Sequence, residues 1–232
     1  MKFYFSFALV FLLFALPCKV NGQEYRLTKA KRNPPNTPKH LSQLLETNGF
    51  AISKNKEVLL RLWMRKDIPT VENFKPSYSV QYPFATGELV GMLQIPKGKT
   101  YSDFRQQELK AGLYTLRYGH IPEDGNHLGA SEISDFLLTL PVAFDKTTKR
   151  IKKPKELSHQ SSQGVKANHP AIFSLVGADE KQKKKQEAKL KHDEEHEFWV
   201  LHFSATIKKV IDKKTTSERI PLRLIVVGFS EE

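Results

Sequence analysis

Cysteine is nearly absent: the chain of 232 residues holds one, Cys18, inside the apolar segment at its start. Met1 and Lys2 give a short positive beginning, and "FYFSFALVFLLFAL" (3–16) is an almost unbroken apolar run. Val20 and Gly22 supply small residues at −3 and −1 of a cut before Gln23, the pattern of a secretory signal peptide. The run is shorter than the ~20 apolar residues that span a bilayer. The expectation is an exported chain, periplasmic or secreted, cut near Gly22, with no transmembrane segment left in the mature part. A lipoprotein cut before Cys18 wants a small residue at −1, and Pro17 stands there. Cleavage after Gly22 removes the last thiol, which excludes disulfides, thiolate metal ligands and a cysteine nucleophile. A chain without staples relies on its core, and a single all-β domain is an ordinary solution at this length.

Catalytic signatures are missing as well. No G-x-S-x-G elbow, phosphate-cradling glycine loop or dinucleotide fingerprint occurs. Ser and His meet in "LSHQSSQ" (157–163), an ordinary pairing for a loop. "HDEEH" (192–196) invites comparison with the H-E-x-x-H metalloprotease helix and departs from it twice. Asp193 is one methylene short of the glutamate base, and period-two "EFWVLHF" follows at once, where a helix is needed. The sequence therefore points away from an enzyme.

Acidic charge is in deficit, and the deficit is local. Without residues 1–22, 35 Lys and Arg face 25 Asp and Glu, a net charge of +10. Segments 145–155 ("DKTTKRIKKPK") and 181–191 ("KQKKKQEAKLK") each hold six basic residues and one acid, and the remainder is neutral. That distribution argues against specific nucleic-acid binding. It fits two solvated, lysine-rich loops that could steer onto an anionic envelope polymer or surface.

Long helical patterns are also scarce. Residues 23–37 read as an extended basic leader with Pro34-Pro35. "PKHLSQLLETNG" (38–49), with Pro38 at its start and Gly49 after its end, predicts one short N-terminal helix. Period two then takes over in "EVLLRLWM" (57–64), "YSVQY" (78–82), "ELVGMLQI" (88–95), "GLYTLRYG" (112–119), "DFLLTL" (135–140), "AIFSL" (171–175), "EFWVLHFSATI" (197–207) and "RLIVVGF" (223–229). About eight strands with prolines at their edges predict an all-β fold, a β-sandwich or jelly-roll-like domain over 38–232. Charged loops are expected at 145–155 and 179–196. Tyr114, Leu116, Trp63, Trp199, Leu201, Leu224 and Val226 should lie in the core, with Arg117 and Lys208 outside.

At "ELKAGLYTLRYGHIPEDGNHLGASEISDFLLTLP" (108–141) the chain resembles an uncharacterised family of exported bacterial proteins. The likeness rests on a G-x-Y-T-L-R-Y strand, a D-G-N-H-x-G turn and a D-F-L-L strand. "HPAIFSL" (169–175) and "HDEEHEFWVL" (192–201) match too, and the likeness covers roughly 80–230. It implies kinship and no activity; the lysine run at 181–191 looks like an extension peculiar to this chain.

In "YGHIPEDGNHLGASEISDF" (118–136), His120, Asp124 and His127 crowd into eight positions. Turn chemistry accounts for most of them: Asp124-Gly125 is a turn dipeptide, and Asp124 and Asn126 can bond their own backbone. The alternative is a divalent metal such as zinc on His120, Asp124 and His127, with His169 or His196 adding a ligand.

Overall fold

The computed structural model describes residues 25–121, 133–165, 169–178, 187–211 and 214–228. The fold is all-β and sandwich-like, with eleven strands among the described residues where about eight were expected. The large sheet runs β1 (Tyr25–Lys31), β2 (Asn48–Lys54), β3 (Glu57–Met64), β5 (Leu89–Ser102), β6 (Glu108–His120), β7 (Asp135–Pro141) and β8 (Ile172–Ser174), each antiparallel to its neighbour. The second sheet centres on β10 (Phe198–Ile211), paired antiparallel with β11 (Lys214–Val227). On the other side of β10 lie β9 (Lys189–Asp193), antiparallel, and the two-residue β4 (Ile68–Pro69), parallel. A bridge between Leu175 and Leu224 ties the β8 end of the large sheet to β11.

Alternation along the strands creates the core between the sheets. On β6, Tyr114, Leu116 and Tyr118 point inward, as the period-two pattern predicts, and meet Leu201 and Phe203 from β10 and Leu224 and Val226 from β11 in one cluster. Each fully buried Leu, Val or Phe side chain of this kind contributes roughly 1.5–3 kcal/mol. Lys208 is exposed, as expected.

The outer face of the large sheet departs from expectation, because it is covered too. At one end Leu45, which follows the short helix α1 (Lys39–Ser42), packs with Ala30, Ala51, Trp63 and Met92. At the other, helix α2 (Pro154–Val165) lays Leu157 over Leu138, Leu140 and Ile151. Ser161 of α2 donates to Thr139 O at 2.9 Å and accepts from Ala171 N at 3.0 Å, which fastens the helix to β7 and the entry of β8.

The remaining differences have local causes. Residues 25–31, read as leader, form β1 because Tyr25, Leu27 and Ala30 have apolar surface to pack against. Strand β2 is not among the expected strands; Gly49, expected as a helix stop, lies in it and pairs with Ala30 of β1. The helix over 38–49 shrinks to one turn around Leu41, and the chain then turns so that Leu45 is buried from a bridge to Arg65. "YSVQY" forms no strand; Ser77 and Val80 close a turn, and the backbone N–H groups of Gln81 and Tyr82 donate to the Asp135 carboxylate. "LSHQSSQ" is helical and not a loop, because Leu157 and Ser161, four residues apart, both find partners below. Within the expected loop 179–196, Lys189–Asp193 is strand; residues 179–186 lie outside the described residues.

Candidate functional site

Arg117 was expected on the surface and is instead among the most deeply buried side chains of the protein. It points to the outer face of the large sheet, as its position on β6 requires. That face is roofed by residues 142–165, a crossing that the strand pattern of β6 alone could not reveal. Under this roof Arg117 meets Asp145; both side chains are 0% exposed. Nε donates to Asp145 Oδ2 at 2.6 Å and Nη2 to Oδ1 at 2.8 Å, the two-pronged geometry that suits a guanidinium and a carboxylate. Nη1 donates to Gly87 O at 2.8 Å and Lys149 O at 3.0 Å, and Nη2 also to Thr147 O at 2.5 Å. All five N–H donors of the guanidinium are thus used. Thr115 Oγ1 adds a bond to Asp145 Oδ2 at 2.5 Å.

This network determines the course of residues 144–155. Asp145, Thr147, Lys149 and Ile151 are each held from below: three through Arg117, and Ile151 by donating its N–H to Gly87 O at 3.1 Å. Arg150 donates from Nε to Thr86 O at 2.9 Å. Gly87 has a positive φ of 84°, and a Cβ there would stand 1.8 Å from Ile151 O, so only glycine lets this backbone lie so close. The expected solvated loop is a strap, pinned at four alternate residues.

The strap presents charge of one sign. Lys146, Lys149, Arg150, Lys152, Lys153 and Lys155 are all exposed. Among the described residues no carboxylate lies within salt-bridge distance of any of them. The segment's own acid, Asp145, is neutralised by Arg117 underneath. Three of the lysines flank the start of α2, where the positive end of the helix dipole adds to their field. Such a fixed electropositive ridge is suited to holding an anionic surface by charge.

The histidines take separate places. His120 ends β6, exposed, with Nδ1 3.1 Å from Thr86 Oγ1. His169 is exposed before the buried Ala171. His196 sits in the β9–β10 turn, its Nδ1 3.3 Å from Asp193 Oδ1 and its ring stacked on Phe198. Asp193 also accepts from the backbone N–H groups of Glu195 and His196, so "HDEEH" is an aspartate-capped hairpin turn and not a helix. His192 stacks on Trp199, whose other neighbour is Tyr25; Trp199 is half-buried rather than in the core. Among the described residues no three His, Cys, Asp or Glu side chains gather around a metal position. Asp124 and His127 lie outside the described residues.

Two further buried acids act as fasteners. Asp135 accepts from Gln81 N, Tyr82 N and the Tyr118 hydroxyl. Asp103 accepts from Arg105 N, Gln107 N and Ile172 N, which ties the β5–β6 turn to β8. Burial pushes both carboxyls above the usual carboxylate range, against the opposing pull of these hydrogen bonds. Burial likewise raises the phenols of Tyr82, Tyr101 and Tyr118.

No family model, curated protein or solved structure matches the chain. No helix among the described residues is long and apolar enough to cross a membrane.

Proposed function

We propose that this protein is an exported, non-catalytic β-sandwich that serves as an interaction or accessory module of the cell envelope, docking on anionic material through the strap at 144–155. One observation carries the reading: six exposed cations on a backbone pinned from beneath by the Arg117–Asp145 pair. A mobile lysine run loses conformational entropy on binding, whereas a pinned one has given up its backbone freedom at folding. Export rests on the apolar segment 3–16 and the small residues before Gln23.

The test is retention of the full mature chain on immobilised dextran sulfate at rising salt. Charge reversal at Lys152, Lys153 and Lys155 should abolish retention at physiological salt, and N-terminal sequencing of exported protein should begin at Gln23. Equal retention of the reversed variant would refute the docking role. A second reading is a metal-binding protein or metalloenzyme. It is favoured by the exposure of His120 where β6 leads toward Asp124 and His127. Metal analysis of untagged protein tests it: about one zinc per chain, lost in His127→Ala, is the expected result on that reading.

A further inference from the structure

Phe144 opens the strap and is 50% exposed, one of four large apolar side chains left in solvent among the described residues. It precedes the buried Asp145, and exposed Lys146 follows two residues on, so an aromatic ring and a row of cations share one pinned segment. A soluble polyanion has no use for that ring. A bilayer does: aromatic rings settle at the headgroup level while lysine and arginine reach the phosphates.

Resting on the docking role proposed above, we infer that the strap is a peripheral membrane-binding surface for anionic phospholipid, with Phe144 entering the headgroup layer. The six cations supply the attraction, and the two-pronged hold of Arg117 on Asp145 removes the one negative charge that would oppose it. In the chain the strap is followed by Glu156, in the first turn of α2, where the dipole favours an acid. Each Lys or Arg near an anionic surface adds about 1 kcal/mol, close to five-fold in affinity. The attraction is electrostatic and falls with salt over a screening length of ~10 Å at 0.1 M.

The experiment is co-sedimentation of the mature chain with vesicles of phosphatidylcholine alone and of phosphatidylcholine mixed with phosphatidylglycerol, alongside dextran sulfate in solution. Binding is expected to the mixed vesicles and not to the neutral ones. The Lys152→Glu, Lys153→Glu, Lys155→Glu variant should lose at least roughly hundred-fold. Phe144→Ala should lose roughly three- to ten-fold on vesicles and nothing on dextran sulfate. Phe144→Trp should keep the binding and shift its fluorescence to the blue when mixed vesicles are added, a readout that a change in fold does not mimic. If Phe144→Ala binds vesicles unchanged and the tryptophan does not shift, the membrane inference falls while the anionic docking role stands. If the wild-type chain binds neither vesicles nor dextran sulfate, both fall.

Discussion

Removing either half of the Arg117–Asp145 pair should be among the most damaging single changes in this protein. Arg117→Met leaves the Asp145 carboxylate buried with the Thr115 hydroxyl and a long 3.4 Å contact from Thr147 N as its remaining partners. Asp145→Ala strands a buried guanidinium with two of its five donors unused. A broken buried pair costs about 3–5 kcal/mol. Replacing both at once removes the orphan charge, and such swaps are often nearly neutral. Here the double change still leaves Lys149 O and Thr147 O without their donor, at about 1 kcal/mol each, while Gly87 O keeps the N–H of Ile151. The double variant should therefore lie about 2 kcal/mol below wild type, less than either single. Denaturant unfolding of all four proteins measures this. Independent sites add within ~0.5 kcal/mol, so additive singles would refute the account of the strap as a roof held by one guanidinium.

Other outcomes follow from the same contacts. Gly87→Ala should destabilise by more than about 2 kcal/mol, since it combines a strained positive φ with a clash against Ile151 O. Trp63→Ala should cost about 3–5 kcal/mol as a fully buried ring, and Trp199→Ala about half of that because Trp199 is half-buried; equal costs would mean the two environments are misassigned. Asp103 and Asp135 have raised folded values, so the stability they add in the protonated form is complete below about pH 4 and is lost as pH rises through those values. Asp193 has the opposite sign: burial would raise it, its bonds to His196 and Glu195 outweigh that, and the lowered value adds stability that is lost as pH falls. Asp103→Asn and Asp135→Asn should flatten the fall in stability above pH 4 in unfolding midpoints measured across pH.

Most of the sandwich was legible because its inner face obeys one rule. Tyr114, Leu116 and Tyr118 alternate with polar residues, and alternation of that kind marks a strand with one face in the core. The same rule misplaced Arg117, since period two assigns a face and says nothing of what covers it. Strand β1 and strand β9 were hidden by their lysines, whose charged heads stay in water while the strand contributes backbone bonds and a few apolar contacts. Helix α2 was hidden because its buried side needs only Leu157 and Ser161, too short a stripe to stand out in a polar segment. Of the candidate histidines, His120 falls at a strand end, His169 at a strand entry and His196 in a hairpin turn, while Asp124 and His127 lie outside the described residues.

Charge counting over 145–155 found the six cations and could not weigh them, because it treated Asp145 as one more solvated acid. Asp145 is the residue that turns composition into geometry. A lysine run with a surface acid is a mobile, partly self-compensated loop, and its field is averaged over many conformations. Sink that acid against a buried arginine, and the field keeps all six positive charges while the backbone between them is held at alternate residues. Gly87 completes the arrangement, since its missing Cβ lets the strap lie on the sheet instead of arching over it. The stability of the pair and the strength of any anionic docking are then one property measured twice. A variant that frees Asp145 without touching a lysine, such as Arg117→Met, should weaken binding to anionic surfaces even where the protein stays folded.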